Sequence, residues 1–393
     1  MILRGLPENF PAPDVRERSE QLITGIFAKT MSKKINLKSL SRDEIAGFME
    51  GQGLPKYRAE QLLCWIYDRH ATSLEEITEF SKDLRNRLGE IAYIGGLEIV
   101  RKERSSDGTE KFLFALEDGQ TVESVLIPDK DRLTLCISSQ VGCAMGCRFC
   151  LTGKLGMIRN LRAWEIVDQI LSVNRLIMPK KVTNIVLMGM GEPLANFDEV
   201  VDALKRVISF IGISKRKITL STAGLVPKIR ELPAKAPDVN LAISLNATTD
   251  EVRDKIMPIN KKYPIRSLIE ACRRYPLKPM RRITFEYVLI GGVNDSPEDA
   301  RRLIRLLRGI RCKINLIPIN PLEESDLQRP SKAGILAFQK ILTDNNMTAL
   351  IRESRGQDIL AACGQLRGRY TGKQNISGGK ERNGCSIDER ICR

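Results

Sequence analysis

From about residue 133 to residue 354, short apolar runs alternate with stretches of helical spacing. The runs are TLCISS, TNIVLMGM, ITLST, LAISL, ITFEYVLI, KINLIPI and TALIRES. Between them stand RAWEIVDQILSVNRLI, FDEVVDALKRVISF, IRSLIEACRRY and SPEDARRLIRLLRG. A strand followed by a helix returns the chain to the same end of the sheet, so successive strands lie parallel. The expected fold class is α/β, its sheet open or closed into a barrel. The loops GMGEP, STAG, SLNA, GGVND and INP each follow a strand. In a parallel barrel such loops share the carboxyl-terminal rim, where sites are built.

The preceding residues have other periods. Residues 1–34 are polar and proline-containing, and read as a disordered extension, with Met31 an equally good start for the working chain. Residues 35–95 read as a small helical domain. YRAEQLLCWIYDRH puts Ala59, Leu62, Leu63, Ile66 and Tyr67 on one face. The domain suits either nucleic-acid binding or plain docking. In residues 96–130, EKFLFALEDGQTVESVLIP alternates about the turn signal DG, which reads as a β-hairpin linker. The core runs over 131–372, and the basic tail 373–393 reads as disordered.

Lys and Arg number 63 against 48 Asp and Glu, a net charge of +15. That balance favours a polyanionic partner, because contacts to phosphate release counterions. No run of eighteen apolar residues is present, so no membrane span is expected. The first residues lack a signal pattern, and a cytoplasmic setting with reduced thiols follows as the expectation.

The ten cysteines are unevenly spread. Cys64, Cys272 and Cys312 sit in apolar patterns and read as small core residues. LCISSQVGCAMGCRFC holds four: Cys136, then Cys143, Cys147 and Cys150 as C-x3-C-x2-C. Structural zinc takes four ligands and commonly C-x2-C pairs. The single histidine, His70, lies in the helical domain, far away in sequence. Three thiols without a fourth ligand suit a 4Fe-4S cluster with one open iron. Zinc is the rival, and with it a non-catalytic RNA-binding protein. On residue chemistry alone Cys136, Cys363 and Glu123 read as a core thiol, a packing residue and a strand carboxylate.

C-x3-C-x2-C after the first strand and GMGEP after the second resemble the radical S-adenosylmethionine (SAM) superfamily. VESVLIP, LCISSQVGC, LMGMGEPL, LSTAG, AISLNA, INKKYPI, KINLIPINP and DILAACGQL narrow this further. They resemble the dual-specificity rRNA/tRNA adenine-C2 methyltransferases, whose close relatives methylate adenine C8. The resemblance runs from about residue 36 to about residue 372. It implies a partial (β/α) barrel, one 4Fe-4S cluster on Cys143, Cys147 and Cys150, and SAM on the open iron. It implies SAM contacts from Gly191, Glu192, Ser221, Ser244, Leu245, Asn246 and Asn320. The family usually has His where this chain has Asn246. It further implies Cys363 as methyl carrier, Cys136 as the resolving thiol in a transient disulfide with it, and Glu123 as proton acceptor. A carrier is needed because adenine C2 is an electron-poor carbon, not a nucleophile. The implied substrates are an adenosine of 23S rRNA at the peptidyl transferase centre and tRNAs next to the anticodon. C8 of the same rRNA adenosine is the rival position. The implied partner is an electron donor such as flavodoxin or ferredoxin, and a monomer is expected.

Arg301, Arg305 and Arg308 recur at helical spacing opposite Leu303, Leu306 and Ile310. They form either a phosphate-facing stripe or a solvated helix face. The run Lys215–Lys217 precedes a strand and belongs to the opposite rim. Aromatics are few, so base reading is expected to depend on flipping the adenosine into the barrel.

Overall fold

The computed structural model describes residues 34–320, 322 and 325–368. The proposed extension, the tail, Cys385 and Cys392 lie outside the described residues. The helical domain contains α1 (Arg42–Gly51), α2 (Tyr57–Tyr67) and α3 (Lys82–Ile91). Two short strands, β1 (Ile35–Asn36) and β2 (Ala92–Tyr93), pair in parallel and tie its two ends together. Ser41 and Glu44 form a capping box that satisfies the free N–H groups at the start of α1. α2 buries Ala59, Leu62, Leu63, Ile66 and Tyr67, as their spacing predicts. Cys64 departs from expectation. It is exposed, because it falls one step beyond Leu63 on the outer face of α2.

β3 (Glu98–Arg104), β4 (Glu110–Ala115) and β5 (Thr121–Asp129) form an antiparallel meander. The Asp118–Gly119 signal does turn β4 into β5. The meander does not stop at a linker, however. β5 pairs antiparallel with β6 (Arg132–Cys136), and β6 opens the parallel sheet. β7 (Gln140–Gly142) and β8 (Met157–Asn160) make a separate ribbon around the short helix α4 (Leu151–Lys154).

The remaining strands are β9 (Asn184–Leu187), β10 (Ile218–Thr222), β11 (Asn240–Ser244), β12 (Ile283–Leu289), β13 (Cys312–Pro318) and β14 (Ala349–Ile351). Sheet order is β14-β13-β12-β11-β10-β9-β6-β5-β4-β3. The seven strands from β14 to β6 are parallel. The free edge of β6 is taken by β5, so β14 never closes onto it and the barrel stays partial. Outside lie α5 (Ala163–Ile177), α6 (Phe197–Arg206), α7 (Val226–Lys235), α8 (Asp250–Ile256), α9 (Ile265–Arg273), α10 (Pro297–Leu307) and α11 (Lys332–Asp344). β12 is buried along its whole length. Its Tyr287 stacks on Phe338 of α11 with ring centroids 5.5 Å apart, so alternate residues Thr284, Glu286 and Val288 face the barrel interior.

The helical domain docks on α5 and α6. Lys38 pairs with Asp168 in a buried contact, and Arg206 Nη1 donates to the Lys38 carbonyl at 2.7 Å. Tyr67 stacks on Phe210 at 4.7 Å. α10 buries Ala300, Leu303 and Leu307. Of its proposed arginine stripe, Arg301 and Arg305 are paired to Glu298 of the same helix, which fits the solvated-face reading. Lys215–Lys217 form one turn before β10, at the rim opposite the loops that follow the strands. Among the described residues no helix is long and apolar enough to cross a membrane.

Candidate functional site

The three spaced cysteines are shaped by glycine. Gly142 ends β7 at φ 76°, and a Cβ there would meet the Gly156 carbonyl at 2.0 Å. The Cys143 N–H donates to that same carbonyl at 2.8 Å, fixing where the loop starts. Cys150 stands at the N-cap of α4, three residues past Cys147. All three thiols line one pocket at the carboxyl-terminal rim of the barrel. Burial pushes Cys143 up to about 12, with Glu192 and Cys150 adding to it. Burial also raises Cys147, with its sister thiols adding to the effect. Cys143 and Cys147 are costly to ionise unless a cation sits beside them, and a metal centre supplies that charge.

GMGEP closes the next wall. A Cβ on Gly189 would meet the Ile137 carbonyl at 2.7 Å, and one on Gly191 would meet Gln140 Cβ at 2.6 Å. Backbone therefore passes where no side chain fits. Glu192 accepts from the N–H of Ala223 at 2.6 Å and of Leu194 at 3.0 Å. A carboxylate has lone pairs left for a further donor. Ser221 on β10, Ser244 on β11 and Asn246 just beyond also line the pocket. Asn246 has φ 58°, a left-handed conformation that asparagine tolerates. Its Oδ1 accepts from Val288 N–H at 2.8 Å, and its Nδ2 lies 3.1 Å from Met257 Sδ.

Two of the expected SAM contacts, Leu245 and Asn320, do not line this pocket. Leu245 is fully buried in the core, and its carbonyl accepts from Arg253 Nε. Asn320 does not line the pocket. Its Nδ2 donates to the Cys363 carbonyl at 3.2 Å, and its Oδ1 accepts from Gln357 at 3.1 Å. Each of its polar ends thus makes one bond to the segment that carries Cys363.

That segment is laced down at several points. The Gly364 carbonyl accepts from Leu151 N–H at 2.7 Å, and Thr152 Oγ1 donates to the Leu366 carbonyl at 2.8 Å. A Cβ on Gly364 would meet the Phe149 carbonyl at 2.7 Å. Gly356 N–H donates to Asp107 Oδ2 at 2.9 Å. The result puts Cys363 in the pocket lined by Cys143, Cys147 and Cys150. Its side chain is exposed within the pocket, yet the surrounding protein still pushes the thiol up to about 12, with Cys150, Cys136 and Glu286 adding to the effect. Cys136, on β6, is pushed by burial to about 12 as well. Neither has the positively charged neighbour that easy ionisation calls for. Both are free thiols.

Glu123 does not line that pocket but the adjoining cleft. Its Oε2 accepts from the N–H of Arg367 at 2.7 Å and of Gly368 at 3.1 Å, and Lys111 Nζ lies 3.5 Å from Oε1. Two charged residues escaped the sequence reading. Arg253 of α8 is fully buried, and its guanidinium donates to the carbonyls of Leu245, Ala223 and Ser244 and to Asn260 Oδ1. Glu286 of β12 lines the pocket. The one signal for it was an acid inside the apolar run ITFEYVLI.

The donor set, three thiols at one pocket wall with no histidine, fits the cluster. A partial parallel barrel with this loop at its carboxyl rim defines a radical SAM protein. Residues 137–306 match the Radical SAM superfamily, and residues 35–94 match the N-terminal domain of ribosomal RNA large subunit methyltransferases. The chain belongs to the dual-specificity RNA methyltransferase family. It is 53% identical over 353 residues to the dual-specificity RNA methyltransferase RlmN of Geobacter sulfurreducens, covering 89% of this chain and 97% of that protein. For the protein of the same name from Pelobacter propionicus the identity is 52% over 341 residues, covering 86% and 97%. A crystal structure of a radical SAM methyltransferase from Sphaerobacter thermophilus superposes with a TM-score of 0.82 at 44% identity. It covers 85% of this chain and all of that one.

Proposed function

We propose that the protein methylates C2 of an adenosine in 23S rRNA, and of adenosine in tRNA next to the anticodon, by way of Cys363. The supporting observation is that Cys363 lies in the pocket of the three cluster cysteines, although more than two hundred residues separate them in sequence. A cluster on Cys143, Cys147 and Cys150 with SAM beside it supplies a methyl group and a 5'-deoxyadenosyl radical. Gly191, Glu192, Ser221, Ser244 and Asn246 would hold SAM. Cys363 takes the methyl group as a thioether, yields one of its hydrogen atoms to that radical, and bonds to adenine C2 through the remaining CH2. Glu123 stands as acceptor for the C2 proton, and the surplus electron would return to the bound cluster. Cys136 then attacks the Cys363 sulfur, and a Cys136–Cys363 disulfide forms as the sulfur–carbon bond breaks, the released carbon taking a proton to become the methyl group. Asn320 holds the Cys363 segment by its carbonyl and keeps a second N–H and a second lone pair for SAM. The protein works in the cytoplasm as a monomer, with an electron from a flavodoxin or ferredoxin.

Mass spectrometry of RNA treated with the anaerobically reconstituted protein tests this. The expected product is 2-methyladenosine. Cys363→Ala is expected to abolish RNA methylation while SAM cleavage persists. Cys136→Ala is expected to leave protein covalently trapped on RNA. Methyl at C8, or colourless protein holding one zinc, would overturn the reading.

A further inference from the structure

Glu286 is a carboxyl in the pocket that the reading above gives no task. It sits on the inner face of β12, 7% exposed, in the pocket that holds Cys363. Its Oε1 accepts from Asn315 Nδ2 of the neighbouring strand β13 at 2.9 Å. The other end of that amide, Asn315 Oδ1, is buried with no hydrogen-bond partner. An orphaned buried acceptor costs free energy unless a ligand brings a donor to it. Burial pushes the Glu286 carboxyl up. The Asn315 amide and the charges of Arg352 and Lys313 oppose this without reversing it. Glu286 and Cys363 line the same pocket.

When it carries its proton, a carboxyl that accepts from an amide keeps one O–H donor, and the amide keeps one carbonyl acceptor. Adenine presents the complement along one edge, N1 as acceptor and the N6 amino group as donor. Guanine presents the reverse at N1 and would leave donor facing donor. We propose that Glu286 and Asn315 read the Watson–Crick edge of the target adenine, the Glu286 carboxyl donating to N1 and Asn315 Oδ1 accepting from the N6 amino group. N1 is bonded to C2, so a hydrogen bond at N1 sets the reacting carbon against Cys363. It also draws electron density from the ring at the place where a carbon adds. This rests on the RNA-methylating reading. The adenine of SAM carries the same edge, so the test separates the two.

Fluorescence anisotropy with the cluster-loaded protein measures binding of an RNA hairpin carrying the target adenosine. Two further hairpins carry 1-deazaadenosine, which lacks N1, or purine riboside, which lacks the amino group. Each is expected to bind the wild type about tenfold more weakly than the adenosine hairpin, the loss of one buried hydrogen bond. Glu286→Ala is expected to weaken the adenosine hairpin about tenfold and to stop distinguishing 1-deazaadenosine from it. Glu286→Gln, whose amide offers donor and acceptor together, is expected to stay within about threefold of wild type. Asn315→Ala is expected to stop distinguishing purine riboside. SAM affinity, read by equilibrium dialysis, is expected to be unchanged in Glu286→Ala. A wild-type hairpin pattern in Glu286→Ala, or a Gln variant as impaired as the Ala variant, overturns the proposal. So does a tenfold loss of SAM affinity with the hairpin pattern intact, which would assign the pair to the cofactor's adenine. A wild type that discriminates the hairpins but leaves no methyl on them would sink the proposed function and leave the edge reading standing.

Discussion

Glu123 holds the end of the described chain as firmly as a helix cap holds a helix. Its Oε2 takes the N–H groups of Arg367 and Gly368, and Lys111 sits beside Oε1. A carboxylate in that position anchors the Cys363 segment whether or not it also takes a proton. Glu123→Gln separates the two roles. Glutamine keeps one acceptor oxygen but turns an amide NH2 toward Lys111, so the anchor weakens by about 1–2 kcal/mol. Hydrogen exchange of the Arg367 and Gly368 amides is expected to accelerate about tenfold, together with a fall in turnover. Lost turnover with unchanged exchange would make Glu123 a base and nothing more. The spacing of Cys143, Cys147 and Cys150 is local, and so was legible in the sequence. The pocket position of Cys363 is not local. It depends on hydrogen bonds from Leu151, Thr152 and Asn320, residues that the chain brings in from far away. Asn320 and Leu245 carry the family's pattern as SAM contacts, and no periodicity could show that the first also bonds to the carrier segment and the second packs in the core.

At the scale of elements, β10 and β11 end in carbonyls that a parallel sheet leaves unpaired, and Arg253 of α8 gathers them. Its Nε meets the Leu245 carbonyl at 2.9 Å, and its Nη2 meets Ala223 at 2.8 Å and Ser244 at 3.0 Å. Those residues border Ser221, Ser244 and Asn246, so one guanidinium sets the spacing of the wall proposed to hold SAM. The planar fork matters here, and lysine cannot copy it. Arg253→Met keeps most of the volume but orphans several buried carbonyls at about 1–3 kcal/mol each. The expected outcome is a urea midpoint lowered by about 3 kcal/mol of stability and SAM affinity down by at least tenfold. A variant that loses stability but binds SAM normally would make Arg253 a structural clamp without a part in the site. DEVRDKI reads as a charged, solvated helix, which is why the sequence hid this residue. The alternating strands and helices were legible because each is a period within one segment. The pairing of β5 with β6 was not, since a hairpin signal fixes its own two strands and says nothing of a third.

Over the whole molecule, the helical domain and the start of the meander both meet α5 at Asp168. Lys38 of the helical domain pairs with it, Leu97 N–H at the start of the meander donates to it at 2.7 Å, and Ser172 donates at 3.3 Å. Lys38 is 2% exposed, and Asp168 is fully buried. Few other polar contacts join the helical domain to the barrel so deeply. Removing one partner of a buried pair leaves a charge without compensation, at about 3–5 kcal/mol. Lys38→Met is therefore expected to destabilise by that amount. Replacing both groups removes the stranded charge, so Lys38→Met/Asp168→Leu should regain part of the loss. It should not regain all of it, because Leu97 N–H then loses its acceptor at about 1–3 kcal/mol. The ordering expected in urea unfolding is wild type, then double variant, then Lys38→Met. If the pair mainly orients the helical domain toward RNA, Lys38→Met should weaken hairpin binding while SAM cleavage continues, because the pocket residues sit on strands that this contact does not touch. A double variant as unstable as the single one would place the whole effect on Leu97 and remove the ion pair from the account. Equal loss of hairpin binding and SAM cleavage would mean that the helical domain supports the barrel itself.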